Sequence, residues 1–285
     1  MITVSACMIV KNEEKVLRRC LDTIKDLMDE IIIVDTGSTD STKEIAAEYT
    51  DRIYDYEWID DFADARNFSF SKATCDYIYA PDADEILDEE NRQQFRLLKE
   101  YMDERVEIVQ MRYNTVAFDT VLNVREEYRP KLFKRVRHFV WQDPVHETIR
   151  TEPVVFDSDV VITHKPENSH SSRDFKVFES ALLRGDELSD KVIMMYATEL
   201  YKCGNIHDLA FAAKHFNSIY RSGNEFLQQA MLCVLVRFTR LSGDTEGFIK
   251  LALRDMVKNP CSEVCCEIGD REEHTSELQS HHDIV

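Results

Sequence analysis

The sequence predicts an α/β sandwich, a mixed and mainly parallel sheet between helices, followed by an all-α helical-repeat region. Three observations carry this. Strand-like and helix-like segments alternate through the first 165 residues as β-α-β-α-β-α-β, the order of a largely parallel sheet covered on both faces. The runs "TVSACMIV" (3–10) and "EIIIVDTG" (30–37) are almost continuously apolar, as doubly covered strands are. From about residue 172 the apolar spacing turns helical. We therefore expect an α/β domain over 1–170, a helical region over 171–270, and a separate tail over 271–285.

The elements follow in order. "EEKVLRRCLDTIKDLM" (13–28) has helical spacing at Val16, Leu17, Cys20, Leu21, Ile24 and Leu27. A second helix starts near 41, where Ser41 and Glu44 have capping-box spacing. "RIYDYEW" (52–58) reads as a short third strand, "FADARNFSFSKA" (62–73) as a helix, and "DYIYA" (76–80) as a fourth strand. Residues 106–165 hold short β-like pieces expected to complete the sheet and close over its ligand edge. Two later stretches, 196–220 and 230–257, each read as helix, glycine-containing turn, helix. Their glycines, Gly204 and Gly243, have a tetratricopeptide-like separation. The last residues, "REEHTSELQSHHDIV", are polar, interrupt the repeat, and resemble the translation of an adaptor read-through. They are set apart as a suspected non-native tail, and the helical region is expected to be truncated.

Composition narrows the function classes. The 285 residues carry 35 Lys and Arg against 54 Asp and Glu, a formal charge of −19. That balance argues against sequence-independent nucleic-acid binding and against a basic membrane patch. No apolar run reaches the length of a transmembrane helix, and the N-terminus reads as a strand rather than a signal peptide. Eight cysteines without a CxxC pair suit reduced thiols, so a cytoplasmic location is expected.

Ligands of open α/β sheets bind at the carboxyl ends of the strands. Three polar clusters fall there: Lys11-Asn12-Glu13, Asp35-Thr36-Gly37-Ser38, and Asp82-Ala83-Asp84. If the chain at Asp82 and Asp84 is extended, both carboxylates point the same way and can share one Mg2+ or Mn2+. Such an ion could bridge a diphosphate. Glu85 is assigned to the cap of the helix that starts at Asp88. Asp35 either accepts hydrogen bonds from a base or ribose or only orders its turn. Asp40 is a ligand contact or a cap. Arg66 either contacts a diphosphate or pairs with Asp82 or Asp84. Lys11, Asn12, Arg129 and Lys131 are further candidates for the anionic ligand. In "WQDPVHETI", Glu147 is the first candidate for a general base, with His146 the alternative. His164 ends another strand and could complete a metal sphere.

"CMIVKNEE", "IIIVDTGSTDST", "FADARNFSFSKA", "YIYAPDADEIL" and "PVHETI", in this order over residues 3–165, resemble the family 2 glycosyltransferases of the GT-A fold. Within that family the motif set is similar to sublancin-type peptide S-glycosyltransferases and to lipopolysaccharide-core glycosyltransferases with the "VHE" motif. The resemblance implies a metal-dependent, inverting transfer from a nucleotide-sugar donor, usually UDP-linked, to a peptide, protein or glycan acceptor. It implies Asp35 at the nucleoside, Arg66 near the diphosphate, Asp82 and Asp84 as the D-x-D site with Asp84 the direct ligand, His164 as a late metal ligand, and Glu147 as base. Pro81 replaces the more usual apolar residue before D-x-D, and Asp143-Pro144 replaces a common Gly-x before "VHE". The competing readings are a nucleotide-sugar- or peptide-binding scaffold without turnover, and a nucleotidyltransferase. "VKNEE" lacks the glycine-rich phosphate loop that the last would need.

Overall fold

The computed structural model describes residues 1–115, 127–137, 141–142, 144–145, 148–149, 154–165, 171–222, 225–256 and 261–270. The chain divides into two compact units, Met1–Ser169 and His170–Val285.

The first unit opens with β1 (Val4–Val10), α1 (Leu17–Ile24), β2 (Glu30–Asp35), α2 (Thr42–Ala47), β3 (Ile53–Asp55), α3 (Phe62–Phe70) and β4 (Tyr77–Tyr79). It continues with β5 (Glu85–Ile86), α4 (Glu89–Tyr101), β6 (Ile108–Thr115), β7 (Glu127–Lys134), β8 (Trp141–Gln142), β9 (Thr148–Ile149) and β10 (Val155–His164). Eight strands form one sheet in the order β3-β2-β1-β4-β7-β6-β10-β5. β3, β2, β1 and β4 run parallel. β7 is antiparallel to both β4 and β6, β10 is parallel to β6, and β5 is antiparallel to β10. β8 and β9 make a separate hairpin.

The two-residue period of the strands explains their continuous apolarity. Val4, Ala6, Met8 and Val10 of β1 pack with Ile31 and Ile33 of β2 and Tyr77 and Tyr79 of β4 in one core, under Leu17, Leu21 and Ile24 of α1. The intervening residues Cys7, Ile32, Val34 and Ile78 join Ala63 and Phe70 of α3 in a second core on the opposite face. Each strand is buried on both sides, which a half-exposed sheet would not require.

Several local expectations change. The first helix is shorter than 13–28, although Leu27 beyond its end is still buried. The capping box at Ser41 does not form. Instead the Asp40 carboxylate accepts hydrogen bonds from Thr42 N and Oγ1, and Glu14 accepts one from Ser41 N. A charged acceptor competes well against a neutral hydroxyl for the same free amides. Asp40 is thus a cap in this structure. In 106–165, β7 (eight residues) and β10 (ten residues) are longer than the apolar runs at 131–136 and 159–165 suggest, and with eight-residue β6 they complete the sheet.

The second unit contains α5 (Ser171–Arg184), α6 (Asp190–Cys203), α7 (Ile206–Ser222), α8 (Glu225–Leu241) and α9 (Thr245–Met256). Gly204 caps α6, and Gly243, with φ 75°, turns the chain between α8 and α9. α8 packs against α6, α7 and α9. Among the described residues no helix is long and apolar enough to cross a membrane.

Candidate active site

β1 and β2 end level with each other, Val10 opposite Asp35. Beyond β2 the chain must turn at once, and Gly37 does so with φ 99°, in the left-handed region where a side chain is strained. The buried Asp35 holds this turn, its Oδ2 accepting from Gly37 N (3.1 Å) and Ser38 N (3.0 Å). Its other oxygen, Oδ1, is buried without a partner among the described residues. A buried carboxylate oxygen left unbonded is costly. Asp35 therefore orders its turn, as one of the two sequence readings has it, and leaves one carboxylate oxygen unbonded among the described residues.

Asn12, with φ 55°, ties the end of β1 to the same turn. Its N–H donates to Ser38 Oγ (2.9 Å), and its Oδ1 accepts from Thr39 N (2.8 Å). Lys11 beside it is exposed and forms no ion pair among the described residues.

The D-x-D segment is not extended. β4 ends at Tyr79, and Asp82–Glu85 close a turn in which Glu85 N donates to Asp82 O (3.1 Å). The two carboxylates consequently have different partners. Asp82 Oδ1 accepts from Arg66 Nη2 (2.7 Å) and Oδ2 from Lys131 Nζ (3.2 Å). Asp84 Oδ2 lies 2.7 Å from His164 Nε2. The short β5–β10 pairing builds this contact by setting His164 opposite Glu85, the neighbour of Asp84. Lys165 N donates to Asp84 O (3.0 Å), closing the loop from the backbone side.

Glu85 is not a cap residue. Asp88 alone of the two caps α4, accepting from Asn91 N. The Glu85 side chain is 2% exposed and bonds Lys131 Nζ at 2.6 Å. Lys131, also buried, gives a further bond to Ala80 O (3.3 Å). It is therefore committed to the loop and not free for a phosphate. Burial alone would raise the Asp82 carboxyl, but Lys131 and Arg66 outweigh it and hold Asp82 well below the usual carboxylate range. For Glu85 burial wins, with the Asp82 charge adding and Lys131 opposing, and its pKa is pushed up from 4.5 to about 7.

This shift has a stability consequence. A carboxyl raised on folding holds its proton more tightly in the folded chain, so its contribution is complete below pH 4.5 and is lost as pH rises through about 7. Stability of the wild type is expected to fall across that window more steeply than that of Glu85→Gln. Melting temperatures measured against pH check this, and equal slopes would contradict it.

Arg66 also stacks its guanidinium over the buried Trp141 ring, 4.9 Å from its centre. Its neighbour Asn67 donates to Trp141 O (3.1 Å) and accepts from Trp141 N (2.8 Å). Phe62 N donates to Pro144 O (2.8 Å), so α3 holds the chain on the approach to "VHE" at two points. Glu147 and His146 themselves lie outside the described residues. Arg129 sits 3.7 Å over the Tyr113 ring and pairs with Glu127 (3.1 Å). Tyr113 also faces the His164 ring at 5.4 Å. The Tyr113 platform and the Glu85–Lys131 pair escape the sequence reading, because strand pairing and not local spacing brings them here.

Asp84 and His164 fit a divalent cation. Two donors bound side by side to one ion at roughly 2.1 Å stand about 3.0 Å apart, so a small separation of this pair admits the ion. Asp82 fits less well as a direct ligand, since both its oxygens already bond cations.

The profile of "Glycosyl transferase family 2" matches residues 5–161. The glycosyltransferase SunS of Bacillus subtilis is 40% identical over 92 residues, 32% of this chain and 22% of that protein. A TPR repeat-containing protein of Synechococcus elongatus is 48% identical over 87 residues, 30% of this chain and 22% of its own length. An uncharacterized glycosyltransferase of Rickettsia felis is 30% identical over 135 residues, covering 46% of this chain and 44% of its own. The chain thus spans less than half the length of these curated relatives. Among solved structures, Staphylococcus aureus TarS (residues 1–349) aligns with TM-score 0.49 and 11% identity, over 90% of this chain and 91% of that one. Glucosyl-3-phosphoglycerate synthase from Mycobacterium tuberculosis, solved with Mn2+, UDP-glucose and phosphoglyceric acid, aligns with TM-score 0.47 and 16% identity, over 66% and 82%.

Proposed function

The chain belongs to glycosyl transferase family 2 and its first unit has the GT-A arrangement, and we propose that it moves a sugar from a nucleotide-sugar donor, UDP-linked, to a peptide, protein or glycan acceptor. The observation that carries the reading is the pairing of Asp84 with His164 at the strand-end edge that also holds the unpartnered Asp35 Oδ1. A sugar nucleotide has a base with N–H donors at one end and a diphosphate at the other. It needs an acceptor at the first position and positive charge at the second.

In this reading Asp35 Oδ1 receives a hydrogen bond from the nucleoside. Asp84 and His164 hold Mn2+ or Mg2+, and an imidazole among the ligands favours Mn2+. The ion, when bound, screens the diphosphate and stabilises its charge as it leaves. Arg66 and Lys131 fix Asp82 in place, and Arg129, held over Tyr113, adds positive charge near the same edge. Glu147 takes the proton from the acceptor, with His146 the alternative, so that the nucleophile attacks opposite the leaving diphosphate and inverts the anomeric carbon. The helical unit presents the surface for the acceptor.

The test is product analysis. The protein is incubated with Mn2+, a panel of UDP-sugars, and peptide and glycan acceptor sets. An α-linked donor is expected to give a β-linked product by NMR. A product that keeps the donor's configuration, or donor binding without turnover on any acceptor, would contradict the reading.

Asp35→Asn supplies a separate check. The amide oxygen can still accept from Gly37 and Ser38, but a donor replaces the free acceptor. Nucleotide affinity is expected to fall roughly tenfold or more, by about 1.5 kcal/mol for a hydrogen bond to a charged group, with little change in melting temperature. Calorimetric titration with UDP measures it. Unchanged affinity would remove Asp35 from the nucleoside site.

A further inference from the structure

The helical unit holds a set of metal-ligating side chains that the transfer reaction does not use. Cys233, Cys261 and Glu263 present two thiols and a carboxylate whose donor atoms all lie within 4.8 Å of one another. We propose that these three residues form a second, chemically distinct metal site, for a zinc-type ion, that ties α8 to the helical segment 262–270.

The placement follows from the sequence. Cys233 lies mid-way along α8 on its buried side. Cys261 immediately precedes segment 262–270, and its carbonyl accepts from Cys265 N as the first turn of that helix. Two residues later Glu263 stands exposed in the same turn. α9 separates the two cysteines along the chain, so an ion held by both would link elements that sequence neighbours do not.

The geometry is that of a tetrahedral edge. The two sulfurs are 3.6 Å apart. At the roughly 2.3 Å of a zinc–thiolate bond, two sulfurs of a tetrahedron stand about 3.8 Å apart, so the pair needs little movement to chelate. Both thiols are buried, while Glu263 opens the cluster to water and gives an ion a way in. Two soft sulfurs and one oxygen select zinc over Mg2+ or Mn2+, whereas the Asp84–His164 pair offers no sulfur. Three protein donors leave the fourth corner for a water.

Cobalt(II) is the probe, because its thiolate complexes absorb in the near ultraviolet and its carboxylate and imidazole complexes do not. The full chain, reduced and stripped of metal, is titrated with Co2+. The expected result is a thiolate-to-cobalt band that saturates at one equivalent and is bleached by Zn2+. Asp84→Ala should keep the band, which separates this site from the strand-end site. Cys265→Ser with Cys266→Ser should also keep it. Cys233→Ser with Cys261→Ser should lose it, with helicity checked by circular dichroism. Absence of the band in the wild type overturns the proposal, whether or not the variants fold. So does a band of full size in Cys233→Ser with Cys261→Ser. Peptide mapping that finds the two cysteines joined as a disulfide in the purified, unreduced chain, with no metal taken up after reduction, overturns it as well.

Discussion

Asp84→Ala is expected to lower sugar transfer by roughly 100- to 1000-fold, the scale seen when one group that stabilises transition-state charge is removed, while leaving the fold intact. The side chain is 13% exposed and its contact is His164 Nε2 at 2.7 Å. Truncation deletes one of the two donors that fit the cation. The loop survives because its backbone bonds do not involve the carboxylate: Glu85 N still reaches Asp82 O, and Lys165 N still reaches Asp84 O. Asp82 also remains anchored by Arg66 and Lys131. The loss should therefore appear in turnover and in metal-dependent nucleotide binding, with the melting temperature of the free protein nearly unchanged. A variant that retains more than about a tenth of the wild-type rate would contradict the assignment, against the loss expected from such groups.

Lys131→Met is expected to have the largest effect on stability, a loss of about 3 to 5 kcal/mol, as when one partner of a buried ion pair is deleted. Lys131 is the shared cation of Asp82 and Glu85, and its side chain is 7% exposed against 2% for Glu85. Without it Asp82 keeps Arg66, but Glu85 is left buried beside another carboxylate. Its proton is then held more tightly still, so the variant should regain stability as pH falls. Lys131→Met with Glu85→Gln should recover much of the loss at neutral pH, since no buried carboxyl must then take up a proton to fold. Urea unfolding of the four proteins in a double-mutant cycle measures the coupling. Additive effects would show that Lys131 acts on something other than Glu85.

The sequence and the structure agree most where burial is symmetrical. β1, β2 and β4 are legible because both faces are covered, so "TVSACMIV", "EIIIVDTG" and "DYIYA" are apolar at nearly every position. The strand-end rule then brings Asp35, Asp82 and Asp84 to one edge from chain order alone. The His164–Asp84 contact is foreshadowed by a histidine closing an apolar strand. What stays hidden depends on antiparallel register. Lys131 reaches Glu85, 46 positions away, because β7 pairs with β4 so that Leu132 lies opposite Tyr79. No local spacing encodes that. Ser41 shows the opposite failure: its spacing to Glu44 is correct, but the adjacent Asp40 carboxylate takes the helix-end bond first. The D-x-D pair shows a third, since the alternation that holds in a strand ceases once Asp82–Glu85 turn.

If the Asp84–His164 edge binds a nucleotide diphosphate through a divalent cation, nucleotide and metal must stabilise the folded chain together. The most direct test is the melting temperature of the wild type and of Asp84→Ala with UDP or GDP, in Mn2+ or in chelator. A ligand that binds only the folded state must raise it. A rise is expected for the wild type with UDP and Mn2+ together, and none in chelator or in Asp84→Ala. No rise with either nucleotide under any condition, or an equal rise in both proteins without metal, would contradict this mode of binding.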